Sequence, residues 1–167
     1  MVKFLFLQDM FFEFYGVMSL SATLKKKGHK CDLLICSKEK DLIKKVKALK
    51  PDIIAFSTAT DYYKQELQLA NRIKRETNVI SLFGGPHPTY FPEMINDSGV
   101  DIISRGESEE AILELAENLK NKKPINSIKN LWVKDSSGKI YQNDLRPLLQ
   151  DLDKLDFPDR EIYYKRY

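Results

Sequence analysis

Short, mainly apolar runs alternate along this chain with stretches in which apolar residues recur at helical spacing. Five such runs cover residues 4–7, 31–35, 52–56, 79–83 and 101–104, and continuous apolar runs are typical of strands covered on both faces. Strands that each precede a helical pattern indicate a parallel sheet with right-handed crossovers. We therefore predict an α/β fold, a Rossmann-like (flavodoxin-like) five-stranded parallel sheet with helices on both faces.

The pattern changes after Pro124, where apolar and polar residues begin to alternate. Residues 131–133 and 140–141 flank the turn sequence Asp-Ser-Ser-Gly, which predicts a β-hairpin. Residues 146–167 are too apolar for a free tail and too few to build a core, so we interpret them as a linker. Two parts are expected, a Rossmann-like domain over residues 1–123 and a hairpin with linker over residues 124–167.

Composition and charge exclude several classes of function. The net charge of +3 is too small to indicate a nucleic-acid partner, and the lysines concentrate on predicted solvent-facing helix surfaces. No run approaches the roughly 20 apolar residues that span a bilayer, and no secretory signal is present at the start. Cys31 and Cys36 are expected to be reduced thiols, so a cytoplasmic location without a membrane partner is predicted.

Four distinctive segments follow predicted strands, at residues 8–15, 57–60, 84–89 and 105–107. The carboxyl ends of parallel strands share one edge, where open α/β sheets bind ligands. Gly84 and Gly85 leave bare backbone for a flat group to lie on, although residues of this kind, taken alone, more often form a plain strand-to-helix turn. Ser57 to Thr60 add hydroxyl groups. The sequence therefore predicts a ligand site at this edge.

Catalytic and metal chemistry have little support in the sequence. His87 has no second histidine or cysteine at ligand spacing, so no metal ligand and no catalytic residue is predicted. Neither a P-loop nor a Gly-x-Gly-x-x-Gly loop follows the first strand, which weakens a nucleotide-binding interpretation. Glu109 and Glu110 suit the first turn of a helix, whereas Glu107 is kept as a candidate ligand-binding residue.

The segments Gly-Gly-Pro-His-Pro-Thr at residues 84–89 and Asp-Ile-Ile-Ser-Arg-Gly-Glu-Ser-Glu at residues 101–109 carry a resemblance. They resemble the N-terminal cobalamin-binding domain of cobalamin-dependent radical S-adenosylmethionine enzymes. The resemblance implies cobalamin as cofactor, held without a histidine on cobalt because no Asp-x-His follows the first strand. The nucleotide tail would lie along the strand ends. The residues expected to bind the cofactor are Gln8, Asp9, Ser57, Thr58, Ala59, Thr60, Gly84, Gly85, Pro86, His87, Arg105, Gly106 and Glu107.

The same resemblance implies a larger enzyme of the methyltransferase or cyclase type. Its radical S-adenosylmethionine barrel, with a 4Fe-4S cluster and S-adenosylmethionine, would follow this chain, which lacks the required cysteine triad. Gly85→Val is expected to abolish corrinoid uptake with little loss of folding. The alternatives are a flavodoxin-like or receiver-like domain that binds flavin or nucleotide or signals, and a purely structural domain.

Overall fold

The computed structural model describes residues 1–167 and contains one sheet with the strand order β2-β1-β3-β4-β5-β6-β7. The strands are β1 (Lys3–Gln8), β2 (Lys30–Ile35), β3 (Ile53–Ser57), β4 (Ile80–Gly84), β5 (Ile102–Ser104), β6 (Leu131–Lys134) and β7 (Ile140–Gln142). Strands β1 to β5 are parallel, which confirms the predicted α/β architecture. Because the chain starts at β1 and builds outward on both sides, the strand order switches direction between β1 and β3.

The sheet has seven strands, not the predicted five. The predicted hairpin forms, but β6 pairs antiparallel with β5 and extends the sheet instead of standing apart from it. Leu131 and Val133 are almost fully buried, so the hairpin buries apolar side chains while it covers the free edge of β5. The alternating sequence pattern predicted the hairpin but not its place in the sheet.

Helices cover both faces of the sheet. They are α1 (Tyr15–Lys26), α2 (Leu42–Leu49), α3 (Tyr63–Lys74), α4 (Pro86–Tyr90), α5 (Glu109–Lys120) and α6 (Glu161–Tyr164). The side chains of β1 alternate, so Phe4 and Phe6 join the core under α1 and α5, whereas Leu5 and Leu7 join the core under α2 and α3. The two cores hold the sheet rigid beneath its carboxyl edge.

The C-terminal segment packs back on the domain. Asp159 accepts a 2.5 Å hydrogen bond from the Ser21 hydroxyl, and Ile162 and Tyr163 of α6 are buried in the core under α1 and α5. These two residues therefore join an existing core, whereas Leu148, Leu152 and Phe157 of the same segment stay exposed. Its role as a linker to a further domain stays a prediction.

None of the six helices combines the length and the apolar character needed to cross a lipid bilayer.

Candidate functional site

An open cavity of about 380 Å³ lies at the carboxyl edge of the sheet, between α1 and α5. Its lining combines Phe6, Ala55 and Leu82 from three adjacent strands with Val17 and Ile112 from the two helices. We call this cavity the slot. It lies at the switch in strand order, where sheets of this kind bind ligands, and its volume falls within the range of small-molecule sites.

Five of the residues predicted from the sequence line the slot, and they come from three different strand ends. These residues are Ser57, Gly84, Gly85, Gly106 and Glu107. Ser57 lies directly opposite Gly84 in the pairing of β3 with β4, so a hydroxyl-bearing residue and a stretch of bare backbone stand side by side. The slot therefore offers both apolar and polar groups to a bound ligand.

The two adjacent glycines differ in what a side chain would meet. A β-carbon on Gly84 would lie 3.9 Å from the Ser104 β-carbon, which is ordinary van der Waals contact. A β-carbon on Gly85 would lie 2.9 Å from the Thr58 carbonyl oxygen, and Gly85 also has a positive φ of 98°. The fold thus has room for a side chain at position 84. At position 85 only glycine fits, because of the positive φ and the close contact with Thr58. The expectation that Gly85→Val would spare folding is therefore wrong.

Thr58 locks the strand ends together and does not face the slot. Its amide donates a 2.7 Å hydrogen bond to the Gly84 carbonyl, and its carbonyl accepts a 3.0 Å bond from the His87 amide. Its side chain is fully buried. The main chain of Thr58 therefore holds the glycines in place, which is a role in positioning.

A buried carboxyl group lies beneath Thr58, on α3. Burial raises the pKa of Glu66 to about 7, the nearby charge of Asp9 adds to the rise, and the Thr58 hydroxyl opposes it. Oγ1 of Thr58 and Oε2 of Glu66 nevertheless each lack a well-formed hydrogen bond. Glu66, which was not predicted from the sequence, is therefore a buried carboxyl group below the carboxyl edge of the sheet that can take up a proton near pH 7.

His87 and Thr60 form a small aromatic and polar cluster on the side of the sheet that carries α3. The imidazole stacks on Tyr63 with a centroid distance of 4.1 Å and on Phe91 with one of 5.1 Å. Its Nδ1 lies 3.2 Å from the Thr60 hydroxyl, and burial lowers the pKa of His87. This packing favours a neutral imidazole that is held by its neighbours and lies outside the slot.

Arg105, Ala59 and Pro86, which were also predicted, do not line the slot. Arg105 stacks over the Trp132 ring at 5.1 Å and donates a long 3.4 Å bond to the Thr89 carbonyl. Ala59 accepts a hydrogen bond in the turn that leads to α3, and Pro86 is the exposed first residue of α4. Their assignment to cofactor binding stays a prediction.

Gln8 and Asp9 at the end of β1 are engaged with the protein. The Gln8 side chain is 5% exposed and bonds to the carbonyls of Met10 and Phe12. The carbonyl of Asp9 accepts bonds from the amide and the hydroxyl of Ser37, while its side chain is exposed. Gln8 therefore shapes the loop that follows β1.

Glu107 holds the segment that follows the hairpin over the mouth of the slot. Its Oε2 accepts a 2.7 Å hydrogen bond from the Leu149 amide, and the adjacent Leu148 lines the slot. Arg146 anchors the same segment through ion pairs with Glu110 and Glu114 on α5. We call residues 146–149 the strap. Its apolar side chain at the slot was not predicted, because the sequence gives no sign of where this segment lies.

Sequence reasoning also missed Ser104 and Ser108, which line the slot and whose hydroxyl oxygens lie 2.8 Å apart. Ser104 ends β5 and so stands at the same edge as Ser57. The position of a serine at the end of a predicted strand, directly before the Arg-Gly-Glu segment, was a signal that could have identified it.

Large apolar side chains are exposed in two segments at the carboxyl edge, one after β1 and one after β4. Met10, Phe11, Phe12 and Tyr15 lie on or next to the β1–α1 loop, and Tyr90 and Phe91 follow β4. Tyr90 is 77% exposed and Phe12 is 59% exposed. Exposed apolar patches of this kind mark ligand or partner surfaces.

The residues present fit a cofactor that has a flat aromatic arm and a larger ring. The slot offers bare backbone at Gly84 and apolar walls for a planar group, with serines at its polar end. Exposed aromatic residues follow β1 and β4 at the same edge of the sheet. An arm buried in the slot would leave a ring system above that edge.

Comparison with known proteins identifies the family of this chain. A model of the B12 binding domain family matches residues 12–116, more than half of the chain. An uncharacterized methyltransferase of Pyrococcus horikoshii is 30% identical over 125 residues, which are 73% of this chain and 27% of that protein. The resemblance noted from the glycine and Arg-Gly-Glu segments is thereby confirmed.

Solved structures show the same fold. The cobalamin-dependent S-adenosylmethionine radical enzyme OxsB, with aqua-cobalamin and S-adenosylmethionine bound, superimposes with a TM-score of 0.80 at 17% identity, over 96% of this chain and 24% of that chain. The radical S-adenosylmethionine methyltransferase TsrM of Kitasatospora setae, with cobalamin and a 4Fe-4S cluster bound, gives a TM-score of 0.74 at 14% identity, over 96% and 32%. This chain thus spans about a quarter to a third of the length of the proteins it resembles. It belongs to the B12 binding domain family.

Proposed function

We propose that this chain binds cobalamin with the nucleotide tail in the slot and the corrin ring on the surrounding edge. The observation that carries this proposal is the open slot beside Gly84, where a planar base can lie on bare backbone between α1 and α5. The apolar lining favours the base, because burial of its flat faces removes apolar surface from water. The serines at strand ends suit the ribose and phosphate.

The tail in the slot implies that its base does not coordinate cobalt, and no histidine of the chain replaces it in this proposal. His29 lies at the opposite edge of the sheet, where its Nδ1 accepts from the Val2 amide and its Nε2 contacts Glu117. His87 is stacked between Tyr63 and Phe91. We therefore expect a base-off cofactor without a histidine ligand, consistent with the absence of Asp-x-His after β1.

The exposed aromatic residues of the β1–α1 loop support contact with the corrin face. Phe11 and Phe12 are 39% and 59% exposed and follow the strand that contributes Phe6 to the slot. Covering them with a flat macrocycle would bury apolar surface on both partners and exclude water from one face of the ring. When bound, cobalamin supplies a cobalt centre that accepts and passes on one-carbon groups.

We further propose that the domain serves a methyltransferase or cyclase in which a radical S-adenosylmethionine barrel follows. The supporting observations are the fold shared with OxsB and TsrM and the relative named as a methyltransferase. The 4Fe-4S cluster and S-adenosylmethionine would belong to that barrel. A Cys-x-x-x-Cys-x-x-Cys motif in the continuation of the chain would test this part of the proposal, and its absence there would contradict it.

The binding proposal is tested by titration with hydroxocobalamin, followed by the visible spectrum and by gel filtration. Wild-type protein should retain the corrinoid. After one-electron reduction, the bound corrinoid should give an electron paramagnetic resonance spectrum without nitrogen splitting from an axial base. Gly84→Val should weaken binding at least about tenfold, because the branched side chain enters the slot where the fold has room for it.

Lys30→Val is the matched control, since it adds the same side chain to a strand of the same sheet at an exposed position on the opposite edge. Its affinity should equal that of the wild type. Unchanged affinity of Gly84→Val would show that the slot does not hold the tail. Retention of flavin mononucleotide in place of any corrinoid would favour the flavodoxin-like alternative.

A further inference from the structure

Tyr163 of the C-terminal helix reaches the loop after β1 from 155 residues away. The ring is fully buried, and its hydroxyl donates a 2.8 Å hydrogen bond to Gln8 Oε1. The phenol oxygen of Tyr163 also accepts a 3.0 Å hydrogen bond from the Phe14 amide. The phenol therefore hydrogen-bonds as a donor at one end of the loop between β1 and α1 and as an acceptor at the other end.

Gln8 extends this network into the loop itself. Its Nε2 donates to the Met10 carbonyl at 2.9 Å and to the Phe12 carbonyl at 2.6 Å. Three main-chain groups, on residues 10, 12 and 14, are therefore fixed by two buried side chains. Burial raises the pKa of Tyr163 to about 12, so the hydroxyl keeps its proton over the pH range in which proteins function.

The network leaves the apolar side chains of the loop on the outside. Met10, Phe11 and Phe12 are 48%, 39% and 59% exposed. The ring of Phe11 packs edge-on against Tyr163 with a centroid distance of 5.9 Å, so α6 supports it from below. The loop continues directly into Gly16 and Val17, which line the slot. We call residues 9–14 the platform.

We propose that Tyr163 and Gln8 are positioning residues that hold the platform in the shape that receives the corrin ring. This inference depends on the proposed binding of cobalamin. A loop that is already fixed before binding loses less conformational freedom when the ring arrives, and the affinity rises accordingly. In an unsupported loop, only the fraction of molecules with the correct shape would bind, which weakens the apparent affinity.

A purely structural role for the two residues makes a different prediction. Loss of a buried hydrogen bond lowers the stability of the fold wherever it lies, but it changes ligand affinity only if the bond shapes the binding surface. Two probes separate the platform from the slot: hydroxocobalamin, and aquahydroxocobinamide, which has the same corrin ring but no nucleotide tail. A change in the platform should alter the affinity for both probes, whereas a change in the slot should alter the affinity for hydroxocobalamin alone.

The test measures dissociation constants of both probes for Tyr163→Phe, Gln8→Met and the double variant, at a temperature at which circular dichroism shows each to be folded. Each single variant should weaken both probes by at least about fivefold, the factor expected for one buried hydrogen bond, since Tyr163→Phe removes two bonds of the network and Gln8→Met removes three. The double variant should be no weaker than the worse single variant by more than about twofold, since the two residues form one network.

Ser81→Ala is the control for lost stability. The Ser81 hydroxyl is fully buried and donates a 2.6 Å hydrogen bond to the Gly99 carbonyl, near the amino end of β4 and away from the slot. This variant should lose stability yet bind both probes as the wild type does. The same result for Tyr163→Phe and Gln8→Met would overturn the inference.

The two proposals fail in different ways. If wild type binds both probes and Gly84→Val weakens only hydroxocobalamin, the slot is supported whatever the platform variants do. Unchanged affinities of those variants then overturn the positioning role alone. If wild-type protein retains neither probe, the proposed function and the inference that depends on it are both wrong.

Discussion

The main chain of Gly85 lies against the main chain of Thr58 so closely that a β-carbon on residue 85 would be 2.9 Å from the Thr58 carbonyl oxygen and 3.0 Å from its nitrogen. The main chain of Thr58 is fixed in place, because its amide donates a hydrogen bond to the Gly84 carbonyl and its carbonyl accepts one from the His87 amide. Gly85 therefore allows close contact between two strand ends, whereas the adjacent Gly84 has space beside it for a side chain.

Gly85→Ala should destabilise the protein by at least about 2 kcal/mol, because it combines strain at a positive φ with the contact to Thr58. Gly84→Ala should cost about 1 kcal/mol or less, since the new methyl group finds ordinary contacts. Urea denaturation of the two variants measures the difference. Equal midpoints would contradict the distinction between the two glycines.

Glu66→Gln should remove a pH dependence of stability. Burial raises the pKa of Glu66 in the folded protein to about 7, above its ordinary value, so the folded state holds a proton that the unfolded state releases. The wild-type free energy of unfolding should therefore fall as the pH rises through the interval between the ordinary value and about 7, by about 3 kcal/mol from this group.

The glutamine variant, which is neutral at every pH, should be more stable than the wild type at pH 8 and close to it at pH 4. Urea denaturation at both pH values measures the change. Glu76→Gln, on the exposed carboxylate that pairs with Lys47 at 2.5 Å, is the control and should retain the fall in stability towards pH 8 that Glu66 causes. A wild-type stability that rises between pH 5 and pH 7 because of Glu66 would contradict the assignment.

The His87 imidazole should titrate below the ordinary range, because burial between Tyr63 and Phe91 penalises its charged form. A depressed pKa in the folded state means that protonation favours unfolding, so stability should fall as the pH drops below the ordinary value for histidine. Nuclear magnetic resonance titration of the assigned ring signals measures the pKa. A value above that of a free imidazole would contradict the stacked arrangement.

Glu107→Ala should release the strap from the mouth of the slot. The Leu149 amide would lose its 2.7 Å acceptor, so its hydrogen exchange should become faster while the global free energy of unfolding changes by less than about 1 kcal/mol. Glu107→Gln keeps an oxygen acceptor and should give an intermediate rate. Exchange measured by nuclear magnetic resonance distinguishes the three proteins, and equal rates would show that Glu107 does not hold the strap.

The five parallel strands and the common edge of their loops could be predicted because each strand is a local apolar run and each crossover a local helical pattern. The site could be predicted only in part. Ser57 and Gly84 end strands, Gly106 follows one, and all three lie at the slot, as the edge rule requires. Gln8 ends a strand and His87 follows one as well, yet their side chains are engaged in contacts with distant residues.

The sequence alone determined which segments form strands, that their carboxyl ends meet, and which family the chain resembles, since these depend on the spacing of neighbouring residues. Tertiary structure decided which of the two glycines has room for a side chain, where Glu66 is buried and how Tyr163 meets Gln8. Each of those depends on side chains brought together from far apart in the chain. Such contacts follow from the packing of whole layers, which no local pattern encodes.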